Sequence, residues 1–183
     1  ADMVANTGLL DEVSVAETYA IGDCALAGPQ LAHAAAAQGL AAAASLAGRP
    51  CEIRLDLVPA CVYGSPEIAS VGLTEAEAKE KNIPVQTAKF LMGGNGKSLL
   101  TNQERGFIKL VSAPDGTLLG AQLLCGRATD LVSELTLAIA QGLTAEQVAS
   151  AIHPHPTFAE GIQEAAEILA GFPVHTAPRP KRP

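Results

Sequence analysis

Phe107-Ile108-Lys109-Leu110-Val111-Ser112-Ala113-Pro114-Asp115-Gly116-Thr117-Leu118-Leu119-Gly120-Ala121-Gln122-Leu123-Leu124-Cys125 decides the architecture. Two apolar-rich runs, 107–112 and 117–125, flank Pro114-Asp115-Gly116. Proline presets φ early in a turn, and Asp-Gly accepts the positive φ that tight hairpins need. The stretch predicts two antiparallel strands. Upstream, Ala60–Tyr63 and Ile68–Leu73 read as short strands around the turn cluster Gly64-Ser65-Pro66. Thr74-Glu75-Ala76-Glu77 is a capping box that opens a helix to about Lys81, before Pro84. Val85–Met92 alternates as a strand. Downstream, Ala128–Gln141 is amphipathic, with Leu131, Leu135, Ala138 and Ile139 on one face and Gly142 closing it. Thr144 and Gln147 form a second box for a short helix to Ile152. A last helix is expected from about Phe158 to Leu169. Strands bracketed by helices predict an α+β domain: an antiparallel sheet flanked by helices.

The N-terminal part has a different texture. Residues 15–23 read as a strand ending in Gly22-Asp23. Residues 31–47 are nearly pure helix former and stop at Gly48, with Gly28-Pro29 ahead of them. A strand–turn–helix unit is typical of a nucleotide-binding layer without being specific to one. Arg49 to Leu57 reads as a connector, and Pro173 to Pro183 as a loose, proline-rich, basic tail. The expected layout is 1–56, 57–170 and 171–183.

Composition excludes several classes. Hydrophobic residues make up 48% but aromatics only 3%, so Leu, Ile, Val and Ala must build the core. A net charge of −7 argues against nucleic acid and anionic membrane surfaces. No apolar run reaches spanning length. The first residues lack a basic start and an apolar stretch, so no secretory leader is expected. Cys24, Cys51, Cys61 and Cys125 show neither a C-x-x-C nor a C-x-x-x-x-C spacing, which reads as free thiols in a reducing compartment.

His153-Pro154-His155-Pro156-Thr157-Phe158-Ala159-Glu160 carries the chemistry. Proline fixes φ and biases its predecessor away from helix, so both histidines are expected on an extended segment before a helix. Thr157 is a natural N-cap with Glu160 at the capping-box position. An imidazole facing a carboxylate there is a general base with its orienter, although Glu160 can also be a cap alone. On a strand His153 and His155 would point the same way, but no third ligand lies near, so no metal site is expected. Asp23 at a strand end suits the hydroxyls of a sugar or ribityl chain, or is an ordinary turn aspartate. Leu31-Ala32-His33 opens a helix whose N–H groups and dipole suit an anionic group. His33 itself reads as a packing or surface histidine. Gly93-Gly94-Asn95-Gly96-Lys97-Ser98 departs from a phosphate loop at Leu91 and reads as a flexible loop with no helix after it.

Three stretches resemble the pyridine nucleotide–disulfide oxidoreductases, and most their dihydrolipoamide dehydrogenase branch. Tyr19-Ala20-Ile21-Gly22-Asp23 with Gly28-Pro29-Gln30-Leu31-Ala32-His33 resembles the second flavin motif. Gly106-Phe107-Ile108-Lys109-Leu110 with Leu119-Gly120-Ala121 resembles the central strands of the dimerisation domain. The His153–Glu160 stretch, with Glu164-Ala165-Ala166 downstream, resembles the catalytic histidine signature. Gln30 stands where methionine is common and Asp130 where glutamate is usual. A vicinal cysteine pair, as in mercuric reductases, is absent, and glutathione reductases usually lack the His-x-His-Pro form.

The resemblance implies an FAD enzyme with NAD as co-substrate, built as a homodimer in which the histidine serves the partner subunit's flavin. His155 would be the base and Glu160 its orienter. Asp23 would hold the ribityl or diphosphate region, and Leu31, Ala32 and His33 would turn backbone N–H groups to the isoalloxazine edge. The acyltransferase core of a 2-oxoacid dehydrogenase complex would be the larger partner, in a bacterial cytoplasm or an organelle matrix. The family's Gly-x-Gly-x-x-Gly loop, redox cysteine pair and nicotinamide domain have no counterpart here. The expectation is therefore the C-terminal piece of a longer enzyme, a dimerisation domain behind a remnant of an α/β FAD-binding domain, without turnover of its own and without FAD bound to it. The alternatives are a stand-alone interaction module without catalysis and another FAD-dependent disulfide reductase.

Overall fold

A computed structural model describes residues 19–25 and 28–176. The chain divides after Val58 into two compact units. In the first, helix α1 (Ala32–Leu46) follows from its alanine content, since alanine forms helix without needing partners. Ahead of it Gly22–Cys24 form a 3-10 turn. Of the strand expected over 15–23, residues 15–18 lie outside the described residues, and 19–24 do not form it. The local reason is Gly22: its φ is 71°, and its N–H donates to Gln38 Oε1 at 2.6 Å rather than to a neighbouring strand.

The second unit is built on a five-stranded sheet of order β1-β2-β5-β4-β3, every pair antiparallel. The strands are β1 (Ala60–Val62), β2 (Glu67–Gly72), β3 (Gln86–Leu91), β4 (Phe107–Ser112) and β5 (Leu118–Cys125). The β4–β5 hairpin forms where Pro114-Asp115-Gly116 predicts it. Asp115 Oδ1 accepts the Thr117 N–H at 3.0 Å, and Gly116 takes φ 89°. Helix α2 (Glu75–Glu80) follows β2 with its Thr74–Glu77 capping box complete.

The residues alternate in and out of the core. Val71, Phe90, Ile108, Leu110, Leu123 and Cys125 are buried on one face. Helix α4 (Ala128–Ala140) packs on β2 and β5, and helix α6 (Glu160–Ala170) on β3 and β4. The short helix α5 (Ala145–Ala149) leans on α6, with the Thr144–Gln147 box intact. The buried stripe of α4 is Ala128, Val132, Leu135 and Ala138. Leu131 and Ile139, expected at its centre, are half-buried flanks. The alanines let the helix lie close, and they rotate the apolar centre toward Val132. On the opposite sheet face Val62, Ile68, Leu124, Phe107 and Leu91 form one in-register apolar row across all five strands.

The Gly93–Ser98 stretch is not a loose loop. Met92–Gly94 make a 3-10 turn, and helix α3 (Gly96–Leu100) follows at once. Asn95 Oδ1 accepts both the N–H and the hydroxyl of Ser98 at 2.9 Å. Asn95 and Ser98 are buried, so the expectation failed because glycines hid an Asn N-cap. The C-terminal stretch is held as far as His175, whose Nδ1 pairs with Glu164. Residues 177–183 of the expected tail lie outside the described residues. No helix among the described residues is long and apolar enough to cross a membrane.

Candidate active site

The segment between α5 and α6 carries the histidines, and its hydrogen bonds differ from a full capping box. The Thr157 hydroxyl donates to the Pro154 carbonyl at 2.7 Å instead of accepting from the helix. The Thr157 N–H donates to Glu160 Oε2 at 2.8 Å. The helix begins later than expected, at Glu160, with Ala159 as an N-cap that makes no side-chain bond. Threonine loses the cap because the prolines turn its hydroxyl back onto their own loop.

Glu160 is thereby gripped from two sides. Its Oε2 holds the Thr157 N–H, and its Oε1 lies 2.7 Å from His155 Nδ1. Burial pushes its carboxyl up, but the Thr157 N–H and His155 outweigh this and hold it below the usual carboxylate range. A carboxylate only accepts, so the shared hydrogen sits on Nδ1 of His155, and in the neutral ring the lone pair is then on Nε2. The His155 side chain is 76% exposed, so that lone pair is open to a substrate. The start of α3 borders the ring: a Cβ on Gly96 would stand 3.9 Å from His155 Cε1.

His153 does something else. Its side chain is only 5% exposed. Its Nδ1 lies 2.9 Å from the Ala151 carbonyl and its Nε2 lies 3.0 Å from Glu134 Oε1. Both partners only accept, so both contacts are hydrogen bonds at once only when both ring nitrogens carry hydrogen, as in the imidazolium. The bond to Glu134 raises its pKa against the opposing effect of burial. The two histidines therefore do not point together, and no group of three or more potential ligands stands ready for a metal among the described residues.

Sequence reasoning missed two participants. Glu134 sits on α4, nineteen residues from His153, and no spacing rule links them. Asn95 Nδ2 donates to the Thr157 carbonyl at 2.9 Å. An Asn followed three residues later by Ser98 was a cap signal that could have revealed it.

The other expected site residues lie in the first unit. Asp23 is exposed in the Gly22–Cys24 turn. Leu31 is the N-cap of α1, without a capping side chain, and its own N–H donates to the Pro29 carbonyl at 2.9 Å. Ala32 and His33 form the exposed first turn, which holds no acidic residue. All four cysteines are free. Cys125 is buried, and burial, with Glu67 nearby, pushes its thiol up to about 12.

The signature of the pyridine nucleotide-disulphide oxidoreductase dimerisation domain matches residues 58–166. The chain belongs to this family. Its five-stranded antiparallel sheet with helices is that domain, as the hairpin and flanking helices predicted. Dihydrolipoyl dehydrogenase of Bacillus subtilis is 47% identical over 163 residues, covering 88% of this chain and 34% of its own length. The enzyme of the same name from Geobacillus stearothermophilus is 44% identical over 176 residues, covering 93% and 37%. The chain thus spans little more than a third of the length of these curated relatives. Among solved structures, LpdA from Mycobacterium tuberculosis aligns with a TM-score of 0.76 at 28% identity, over 81% of this chain and 33% of that one. The HOCl-induced flavoprotein disulfide reductase RclA from Escherichia coli aligns at 0.73 and 23% identity, over 81% and 35%, which shows the shared fold.

Proposed function

We propose that the chain serves a dihydrolipoyl dehydrogenase reaction, dihydrolipoamide and NAD⁺ to lipoamide and NADH, as the part that pairs subunits and supplies the base. The carrying observation is the His155–Glu160 pair, 2.7 Å apart, on a histidine whose side chain is largely exposed. Nε2 takes the proton of the substrate thiol, because the thiolate is the attacking species in thiol–disulfide exchange. The imidazolium that forms is stabilised by Glu160, which also keeps the ring from rotating. The thiolate would reduce a cysteine disulfide that these residues do not supply, and bound FAD would provide the two-electron relay on to NAD⁺.

Residues 1–56 would close an FAD-binding domain, 57–170 form the dimerisation domain and 171–183 a tail. The uncapped N-terminus of the 15-residue α1 is the positive end of its dipole and suits an electron-rich flavin edge, without an acidic side chain to repel it. Leu31, Ala32 and His33 would face that edge, and Asp23 the ribityl or diphosphate region. The partners are a second copy, whose flavin His155 would serve, and an acyltransferase core of a 2-oxoacid dehydrogenase complex. A bacterial cytoplasm or organelle matrix fits the free cysteines.

Stopped-flow reduction of the flavin by dihydrolipoamide tests the reading in a full-length flavoenzyme that carries these residues. His155→Gln should slow it by about a hundredfold or more, the usual contribution of a positioned base. Electron flow from NADH to an artificial acceptor should survive. Unchanged reduction by dihydrolipoamide would refute the assignment.

A further inference from the structure

His155 sits in a segment with neither helix nor strand ladder to hold it, yet its exposed ring is held against Glu160. Two side chains remote in sequence grip the ends of that segment. At one end the buried His153 ring bridges the Ala151 carbonyl and Glu134 of α4. At the other end Asn95, ahead of α3, donates to the Thr157 carbonyl at 2.9 Å. Asn95 cannot flip its amide, because Oδ1 is taken by the Ser98 N–H and hydroxyl. Between the grips lie only Pro154, His155 and Pro156, and two of those three have φ fixed by their rings. With both ends held, few soft dihedrals remain to move the imidazole.

We infer that Glu134 and Asn95 are positioning residues for His155: Glu134 acts through His153 and Asn95 through Thr157, and together they set Nδ1 against Glu160 and Nε2 toward substrate. The inference deepens the proposed base role and rests on it for its catalytic meaning. Neither residue touches the reacting thiol.

The test reads the ring itself. Long-range ¹H–¹⁵N correlation spectra of the histidine-labelled chain report the tautomer of each imidazole. Three variants separate positioning from folding. Glu134 is 39% exposed on a helix, so Glu134→Ala leaves a good helix former in place. Glu134→Gln keeps an oxygen that accepts from His153. Asn95→Ser keeps a cap for α3 but is too short to reach Thr157. The expected result is a single Nδ1–H tautomer of His155 in the parent chain. Its signals should move toward a free, tautomer-averaged imidazole in Glu134→Ala and Asn95→Ser, with recovery in Glu134→Gln. In the full-length flavoenzyme Glu134→Ala and Asn95→Ser should slow flavin reduction by dihydrolipoamide severalfold and spare NADH-to-acceptor flow. Unmoved His155 signals in both Glu134→Ala and Asn95→Ser overturn the inference. Moved signals alongside a His155→Gln protein of normal activity uphold the positioning and overturn the base role instead, so the two failures are distinguishable.

Discussion

His153 Nε2 lies 3.0 Å from Glu134 Oε1, with the histidine side chain 5% exposed, so the ring forms a structural bolt between α4 and the segment that carries His155. Burying a charge is unfavourable unless it is paired and hydrogen-bonded, and here both ring nitrogens and the carboxylate meet that condition.

The bolt makes stability depend on pH. The folded pKa of His153 is raised by Glu134 first, with smaller help from the Ala151 carbonyl and the charge of Glu160. A raised folded value means the stabilisation is complete below the unfolded pKa of about 6.5 and is lost as pH rises through the folded value. The thermal midpoint should therefore decline from near-neutral to mildly alkaline pH. His153→Gln should flatten that decline while lowering the midpoint at pH 6. His175, raised by its exposed pair with Glu164, has the same sign but a small share because water screens it. Calorimetry across the pH series checks this; an identical slope in His153→Gln would contradict it.

Glu160→Gln tests whether the carboxylate is more than a helix-end acceptor. Glu160 uses both oxygens, one for Thr157 and one for His155. Glutamine has one acceptor oxygen, so it must fail one of them. If its oxygen stays with the Thr157 N–H, its NH₂ faces His155 and favours a proton on Nε2 instead. The base lone pair then points inward. The thiol step should slow severalfold and its pH profile should shift to lower apparent pKa. Unchanged stopped-flow rates across pH would leave Glu160 a purely structural residue.

The fold was legible because its signals are local. Asp115-Gly116 dictates a hairpin, Thr74 and Glu77 dictate a helix start, and alternation over β3 dictates a strand. The His155–Glu160 contact was legible for the same reason, five residues being within reach of one turn. What failed was long-range or competitive. Glu134 and Asn95 meet the segment only through tertiary packing. Thr157 has a cap residue's chemistry, but the nearby Pro154 carbonyl outcompetes the helix for its hydroxyl. The paired direction expected of His153 and His155 failed because the segment is not a strand, so the period of two does not apply.

The cysteines should separate cleanly by reactivity. Cys24 and Cys51 are exposed, whereas Cys125 is fully buried in β5 with its thiol pushed up to about 12. The thiolate is the reactive form, and at pH 8 Cys125 offers almost none. Brief treatment of the native chain with iodoacetamide, followed by peptide mass mapping, should label Cys24 and Cys51 and spare Cys125. Labelling of Cys125 at a comparable rate would show that the sheet opens readily at β5.

Gly161 decides how closely α6 lies on the sheet. A Cβ there would stand 3.0 Å from both Ile108 Cδ1 and Met92 Sδ, two fully buried side chains. Two effects oppose each other in Gly161→Ala. Replacing glycine inside a helix gains roughly 0.5–1 kcal/mol of backbone entropy. Overpacking a filled core costs about 1–3 kcal/mol, toward the low end where methionine can adjust. Gly161→Ala should thus change stability by less than about 1 kcal/mol, since the methyl needs only a few tenths of an ångström. Gly161→Leu cannot be absorbed that way, and the start of α6 must lift. Urea unfolding should show a loss of about 1–3 kcal/mol for the leucine variant. Because Glu160 is the neighbouring residue and the first of α6, the lift should also break the single Nδ1–H tautomer of His155 in the same histidine spectra. A leucine variant with the parent's stability and an unmoved His155 signal would mean that the helix does not owe its seat to Gly161.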